Sequence, residues 1–420
     1  MSNWRKKVEG MKVAHGDGPV PCDIMFIGEA LGRQESSWST CPHCNLEGDG
    51  EENDWTCYKC GGPMDCTPKP FVGASGHFLN RNLGRIGMDR SKVHINNIVP
   101  VRPPNNDLKR LGEIGLSLED FEERTRELLE LVQPKVIVPV GNVALNALTG
   151  LDKITKRRGS PLELKSELAL LLPKAIVIPM IHPANIFRLP TKGKESYGVA
   201  ASTFVRDLRK IKKFLDGTQG EIPKREFLLE PTLQEVKDFL ASCADNGFVT
   251  FDTEMRKRQI ACISIAKSNS EAICIPIWHG WDSYWPEEDE MVIWEELSKF
   301  FKSEVYKVAH NVNFDISMLA VHGLGIKNVV LDTAAVHRVL WPELPRNLAF
   351  LTSIYTLQPY YKDDHKDQET GSAGWLVPKD ESALWHYCAM DSAVTYEIME
   401  EELRQIAKYE KEDQVWPRAK

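Results

Sequence analysis

The chain has 420 residues, 42% hydrophobic and 27% charged, too long for one ordinary domain and too apolar for a disordered chain. It carries a net charge of −8, but unevenly: residues 1–219 hold 31 Lys+Arg against 26 Asp+Glu, and residues 220–420 hold 21 against 34. The front half can meet phosphates directly, whereas an acidic half that handles nucleic acid needs cations to mediate.

No apolar run approaches the length of a membrane span, and the N-terminus MSNWRKKVEGMK lacks the apolar core of a secretory signal. The chain is therefore expected in the cytoplasm, of a bacterium or a phage-infected host cell, with no membrane partner. From the N-terminus, strand-like runs (DIMFIGEA, VHINNIV, PKVIVPVG, KAIVIPMIH) alternate with helical stretches such as LEDFEERTRELLELV. That rhythm predicts an α/β domain with a largely parallel sheet over residues 1–219. Inside it, at about 39–66, lies CPHC-NLEGDGEENDWT-CYKCGG, a C-x2-C-x12-C-x2-C pattern. Cys41, Cys44, Cys57 and Cys60 at this spacing make a closed tetrahedral Zn²⁺ site, a structural zinc ribbon in which Gly61 and Gly62 permit the tight turn. Its intervening loop is acidic, which favours a structural or protein-binding role over DNA contact.

The same half carries four segments of interest. GEALGRQES follows a strand, KPFVGASG joins an aromatic to small residues, HINNIVPVRPP ends a strand in polar and Arg-Pro residues, and IHPANIFR puts His182 after another strand. An aromatic, an amide, a histidine and nearby arginines suit a nucleobase flipped from its stack. Each segment alone is equally an ordinary loop.

The polar stretch DGTQGEIPKREF at 216–227 reads as a linker to a second domain over residues 220–420. There TLQEVKDFLASCA is predicted helical, FVTFDTEM, IACISIAK and EAICIPI are predicted as three consecutive strands, and helices follow. FDTE puts Asp252 and Glu254 on one strand face, HNVNFD puts Asp315 at the start of an apolar helix, and YCAMD puts Tyr387 and Asp391 one helical turn apart. Four carboxylates and a tyrosine are the equipment for two divalent metals that clamp a phosphodiester. Any one of these pieces is also common as a helix cap or strand edge.

As an ordered set they resemble the DEDD-type 3′–5′ exonucleases found as proofreading domains of family A polymerases, in the tyrosine form, over about 225–415. The resemblance implies an RNase H-like mixed-sheet fold and two Mg²⁺ or Mn²⁺ ions. It makes Asp252, Glu254, Asp315 and Asp391 metal ligands, Tyr387 the group that positions water, and Asn311 a contact to the substrate or a support behind the metal ligands. Residues 20–214 in turn resemble the uracil-DNA glycosylase superfamily, closest to its family 4 type, through GEALG-x-x-E, PFVGASG, INNIVPVRPP, TKRRG and HPAN. That resemblance implies a glycosylase-type α/β sandwich around a central parallel sheet. Phe71 would stack on the base, Asn97 would read its edge, and His182 would stabilise charge developing on the departing uracil. Glu35 would position or activate water beside Glu29, and Arg158 and Arg188 would hold phosphates or the inserting loop.

Leu31, Ala184 and Val101 depart from the family pattern. Val101 stands where the family has a cluster-ligating cysteine, so no 4Fe–4S cluster is expected. Together the resemblances imply a DNA-processing enzyme of repair or replication proofreading, acting on single-stranded 3′ ends and uracil-containing DNA. The alternative is a proofreading subunit of a separate phage-type polymerase whose front domain only senses uracil. Certain phage glycosylase–exonuclease–polymerase fusions have the same domain order. DNA and RNA remain open as exonuclease substrates on the motifs alone.

Overall fold

The computed structural model describes residues 3–191, 193, 196–256, 259–280, 282–362 and 381–415, with side chains to 408. The chain divides into two compact units, Met1–Gly220 and Glu221–Lys420.

The first unit is built on strands β1 (Ile24–Ala30), β5 (His94–Val99), β6 (Val136–Pro139) and β7 (Ile176–Val177). They form one parallel sheet in the order β5-β1-β6-β7, with Gly28 opposite Asn97 and Ile27 opposite Pro139. Every residue of β5 and β6 is buried, as expected where helices cover both faces of a parallel sheet. Phe26, Ile27, Ile95, Ile137 and Val138 form its centre, with Leu79 and Leu83 from the Ala74–Arg85 helix and Phe204, Leu208 and Ile211 from Tyr197–Leu215. The chain steps from β1 to β5 on one side, then back across β1 to β6. Such a reversal opens a crevice at the carboxyl ends of the strands, where open α/β sheets place ligands.

Between β1 and β5 a small antiparallel sheet is inserted, β2 (Trp38–Thr40), β3 (Glu47–Asp49) and β4 (Asp65–Cys66), in the order β3-β2-β4.

The second unit has a six-stranded mixed sheet. It comprises β8 (Glu226–Leu228), β9 (Phe248–Arg256), β10 (Gln259–Ala266), β11 (Glu271–Pro276), β14 (Tyr306–Ala309) and β15 (Val329–Asp332), ordered β15-β14-β9-β10-β11-β8. A short hairpin of β12 (Trp278–His279) and β13 (Asp282–Ser283) stands apart from it. The central pairs β9–β10 and β10–β11 are antiparallel, and β14 runs parallel to both neighbours.

The two faces of this sheet differ in residue size. Val249, Phe251, Ile263, Ile265, Ile273 and Ile275 pack against Ile293, Leu297 and Phe301 of the Glu287–Phe301 helix. A register shift between Ile260 and Cys262 keeps Ile260 on this same face despite the odd spacing. The opposite face is small: Cys262, Ala266, Ala272 and Cys274 meet Cys388, Ala389 and Ala393 of the long Glu381–Val415 helix. Small residues let that helix lie close enough for side chains of the sheet to reach its backbone. Ser264 donates to the Cys388 carbonyl and Thr250 to the Ser392 carbonyl, both at 2.7 Å. The helix is thereby fixed against β9, which positions its acidic and phenolic side chains. Among the described residues no helix is long and apolar enough to cross a membrane.

Candidate functional site

Asp252 and Glu254 alternate with buried Phe251 and Thr253 on β9, so both carboxylates face the long helix. There they meet Asp391: the three can each offer an oxygen within 4.8 Å of the others. Burial, followed by repulsion from Asp391, Asp315 and Glu254, holds the Asp252 carboxyl well above its ordinary range. Burial and then Asp391 push Glu254 up to about 8. Such a set is costly to ionise without a cation, and oxygen-only donors of this kind suit a hard divalent ion.

Asp315 approaches from the first turn of the Asn313–Val321 helix, behind the Thr253 side of β9. Its Oδ1 accepts from the Thr253 backbone N–H at 3.0 Å and the Thr253 hydroxyl at 2.7 Å, which leaves Oδ2 for another ligand. Asp315 therefore borders the three-carboxylate set rather than joining it. Burial pushes its carboxyl up to about 6. Asn311 has φ +59°, a left-handed turn that asparagine tolerates, and its backbone N–H donates to Asp332 Oδ1 at 2.8 Å. The turn aims the Asn313–Val321 helix, and the Asn311 side chain is exposed.

Two donors near the carboxylates have no counterpart in the motifs. The Tyr361 hydroxyl donates to Asp391 Oδ1 at 2.6 Å. Lys362 Nζ donates to Asp391 Oδ2 and, at 2.8 Å, to the Tyr387 hydroxyl. Burial and then the neighbouring Asp391 raise Tyr387, so its phenol stays protonated.

In the first unit a cleft of about 610 Å³ opens at the end of β1. It is lined by Glu29, Leu31, Glu35, Phe71, Pro103, His182, Phe187 and Arg188, among others. Phe71 sits at φ +56°, and its ring centre lies 5.8 Å from that of His182. A Cβ on Gly28 would fall 2.6 Å from the Phe71 ring and 2.3 Å from Asn97 Oδ1, so glycine is what allows ring and amide to meet there. The Asn97 amide nitrogen is buried and has no hydrogen-bond partner among the described residues. A donor left so is costly unless a ligand satisfies it.

His182 Nδ1 accepts from the Ala184 backbone N–H at 3.2 Å, which assigns the ring proton to Nε2. Burial, then the charge of Arg188, pushes its pKa down to about 4. The cleft thus holds a neutral imidazole with one N–H to give.

The two acidic residues of the cleft are engaged with backbone. Glu35 accepts from the Phe71 N–H at 2.6 Å and the Gly32 N–H at 2.9 Å, tying the first motif to the second, and burial raises it to about 7. Glu29 accepts from the Val143 N–H at 3.2 Å, at the start of the Asn142–Thr149 helix, and burial raises it as well. A larger cavity of about 780 Å³, lined by Ile98, Phe121, Asn146 and Lys165 among others, contains none of these candidate side chains.

The four ribbon thiols also converge, each offering a sulfur within 4.8 Å of the others. Cys41 and Cys60 sulfurs are 3.6 Å apart, and Gly61 turns at φ +69° while donating to the Cys57 carbonyl. Backbone N–H groups of Cys60 and Lys59 pull the Cys57 thiol down to about 7, toward the thiolate a metal requires. His43 is exposed on the first turn.

A family model described as "Uracil DNA glycosylase superfamily" matches residues 15–208, and one described as "3'-5' exonuclease" matches residues 230–406. The chain joins a uracil-DNA glycosylase superfamily domain to a 3′–5′ exonuclease domain. The type-4 uracil-DNA glycosylase of Thermotoga maritima is 29% identical over 205 residues, 48% of this chain and 83% of that protein. That of Sulfurisphaera tokodaii is 29% identical over 185 residues, 43% and 67% respectively. A DNA polymerase of Bacillus phage SP01 is 24% identical over 392 residues, covering 83% of this chain but only 39% of the polymerase. The exonuclease family implies divalent metals, and the oxygen donors gathered at Asp252 fit them. The four-cysteine set of the glycosylase-superfamily domain fits zinc.

Arg158 stands apart from the cleft of the first unit. Its side chain is 5% exposed and paired with buried Asp207 at 2.5 Å, so its place is in the packing of the Tyr197–Leu215 helix rather than at a DNA surface. Arg158→Ala should lower unfolding stability by roughly 3–5 kcal/mol, because Asp207 loses its buried counter-charge. Denaturant melts check this, and an unchanged midpoint with weakened DNA binding would restore a phosphate-holding role. Tyr361, Lys362 and Asp332 escaped sequence reading because they lie outside the three exonuclease motifs.

Proposed function

We propose that the chain hydrolyses single-stranded DNA from its 3′ end with two Mg²⁺ or Mn²⁺ ions, and that its front domain excises uracil. The exonuclease half rests on one observation: Asp252, Glu254 and Asp391 bring carboxylate oxygens within 4.8 Å of one another, with the Asp252 and Glu254 carboxyls held above their ordinary range by burial and repulsion. Asp252, Glu254 and Asp391 hold the ions, joined by Asp315 through Oδ2. When bound, the ions supply Lewis acidity for water and for the leaving oxygen. Tyr387 keeps its proton and orients the attacking water, and Asn311 lies at the substrate side. A 5′-labelled single strand should shorten stepwise in Mg²⁺ and stay intact in EDTA; digestion in EDTA refutes this reading.

In the front domain, Phe71 stacks on the base, Asn97 hydrogen-bonds its edge with the amide that lacks a partner, and His182 gives its Nε2–H to the developing oxyanion. Arg188, exposed at the rim, holds a phosphate. Glu35 positions the Phe71 loop through its two backbone bonds, and Glu29 is anchored at a helix start beside it.

The ribbon holds structural Zn²⁺. Elemental analysis should give about one zinc per chain. Cys57→Ser should lose it, and a brown, iron-bearing protein would overturn the assignment. The match to a phage DNA polymerase through both domains favours a second reading, in which the chain proofreads for a polymerase and the front domain senses uracil. Its setting is then the cytoplasm of a bacterial or phage-infected cell.

A further inference from the structure

The exonuclease cluster contains a cation of its own. The Lys362 side chain is 14% exposed, and its Nζ donates to Asp391 Oδ2 and to the Tyr387 hydroxyl. The ammonium lies 4.6 Å from the Tyr387 ring centre and 5.3 Å from that of Tyr361. Asp391 Oδ1 accepts from the Tyr361 hydroxyl, so both Asp391 oxygens are engaged by protein donors. The charge of Lys362 also acts on Asp252 and Glu254. One ammonium therefore sits in the electrostatic niche that a divalent ion would fill.

We infer that Lys362 is a positioning residue of the exonuclease, an internal counter-ion that holds Asp391 and Tyr387 and yields Asp391 Oδ2 to a divalent ion. The inference rests on the exonuclease reading above. An ammonium and a divalent ion in contact with the same oxygen repel strongly in a site this buried. The four-carbon lysine stem lets Nζ withdraw from Asp391 while remaining beside Tyr387. A phenol has one O–H to give and two lone pairs to receive on. With Nζ on a lone pair, the Tyr387 O–H turns away from Lys362 and toward the Asp391 side, which fixes the orientation of the phenol. Lys362 thus acts twice, opposing ion entry and fixing the orientation of the phenol.

These two effects have opposite signs, and that makes them testable. Lys362→Met keeps the stem and removes the charge, Lys362→Gln does so with a polar end, and Lys362→Arg keeps the charge. Mn²⁺ binding to the full chain is measured by calorimetry at fixed pH, alongside single-turnover digestion of single-stranded DNA at saturating Mn²⁺. Met and Gln variants should bind Mn²⁺ about tenfold more tightly, as a repulsion is removed, and digest about tenfold more slowly. Arg should restore the wild-type Mn²⁺ affinity and part of the rate. A lysine that only supports the fold would give weaker binding on removal, so weaker or unchanged Mn²⁺ binding in folded Met and Gln variants overturns the inference, as does an unchanged rate. If the wild-type chain itself neither binds Mn²⁺ nor digests DNA, the exonuclease reading fails instead.

Discussion

Asp252→Asn should remove 3′-end digestion by roughly a thousandfold or more while leaving the melting temperature unchanged or higher, since an absent metal clamp forfeits several kcal/mol at 1.36 kcal/mol per decade. The two effects have one cause. Asp252 sits half-buried among Asp391, Asp315 and Glu254, and that environment opposes its negative charge. Neutralising it relieves the apo protein and deprives an ion of its central ligand. Asparagine keeps the shape that packs beside Cys388, whose thiol lies 3.7 Å from the Asp252 carbonyl oxygen. Activity at wild-type level in the folded variant would mean that the cluster is not the reaction centre. Loss of activity together with collapse of the melting transition would point to packing instead.

His182→Ala should reduce uracil excision by roughly a hundredfold or more, the loss expected for one oxyanion donor. The assay is run in EDTA, where the exonuclease is silent, and excision is read as alkali-labile breaks. The sign of the pH dependence follows from the His182 pKa of about 4. The ring is neutral throughout pH 6–8, so its contribution should be flat there. It should change only as pH falls toward 4, when a proton arriving on Nδ1 breaks the bond from Ala184. A His182-dependent transition near pH 6.5 would show an exposed imidazole acting as an acid, contrary to this account.

Much of the candidate site was legible because side chains that converge from regular elements leave periodic traces. Asp252 and Glu254 share a face through the two-residue strand period, and Tyr387 and Asp391 align through one helical turn. The ribbon cysteines were legible through knuckle spacing, and the parallel sheet through unbroken apolar runs. What escaped was the three-dimensional destination of single side chains. Arg158 follows a basic run and looks like a phosphate contact, yet it meets Asp207, 49 residues later in the sequence. Glu35 looks like a water-activating acid, but its oxygens are taken by two backbone amides, one of them 36 residues away. Lys362 lies 25 residues before Tyr387 in a stretch with no pattern of its own. The three exonuclease motifs contain no Lys or Arg, and Lys362 reaches Asp391 from outside them.

On this reading, two chemistries with different metal needs share one chain. A 5′-labelled single strand with one internal uracil is incubated with wild-type protein, Asp252→Asn and His182→Ala, each in EDTA and in Mg²⁺, then split and run with or without alkali. Breaks at uracil should appear, only after alkali, for wild type and Asp252→Asn in EDTA, and a 3′-shortening ladder for wild type and His182→Ala in Mg²⁺. Alkali-labile breaks that vanish with Asp252→Asn, or a ladder that persists in EDTA, would contradict this reading.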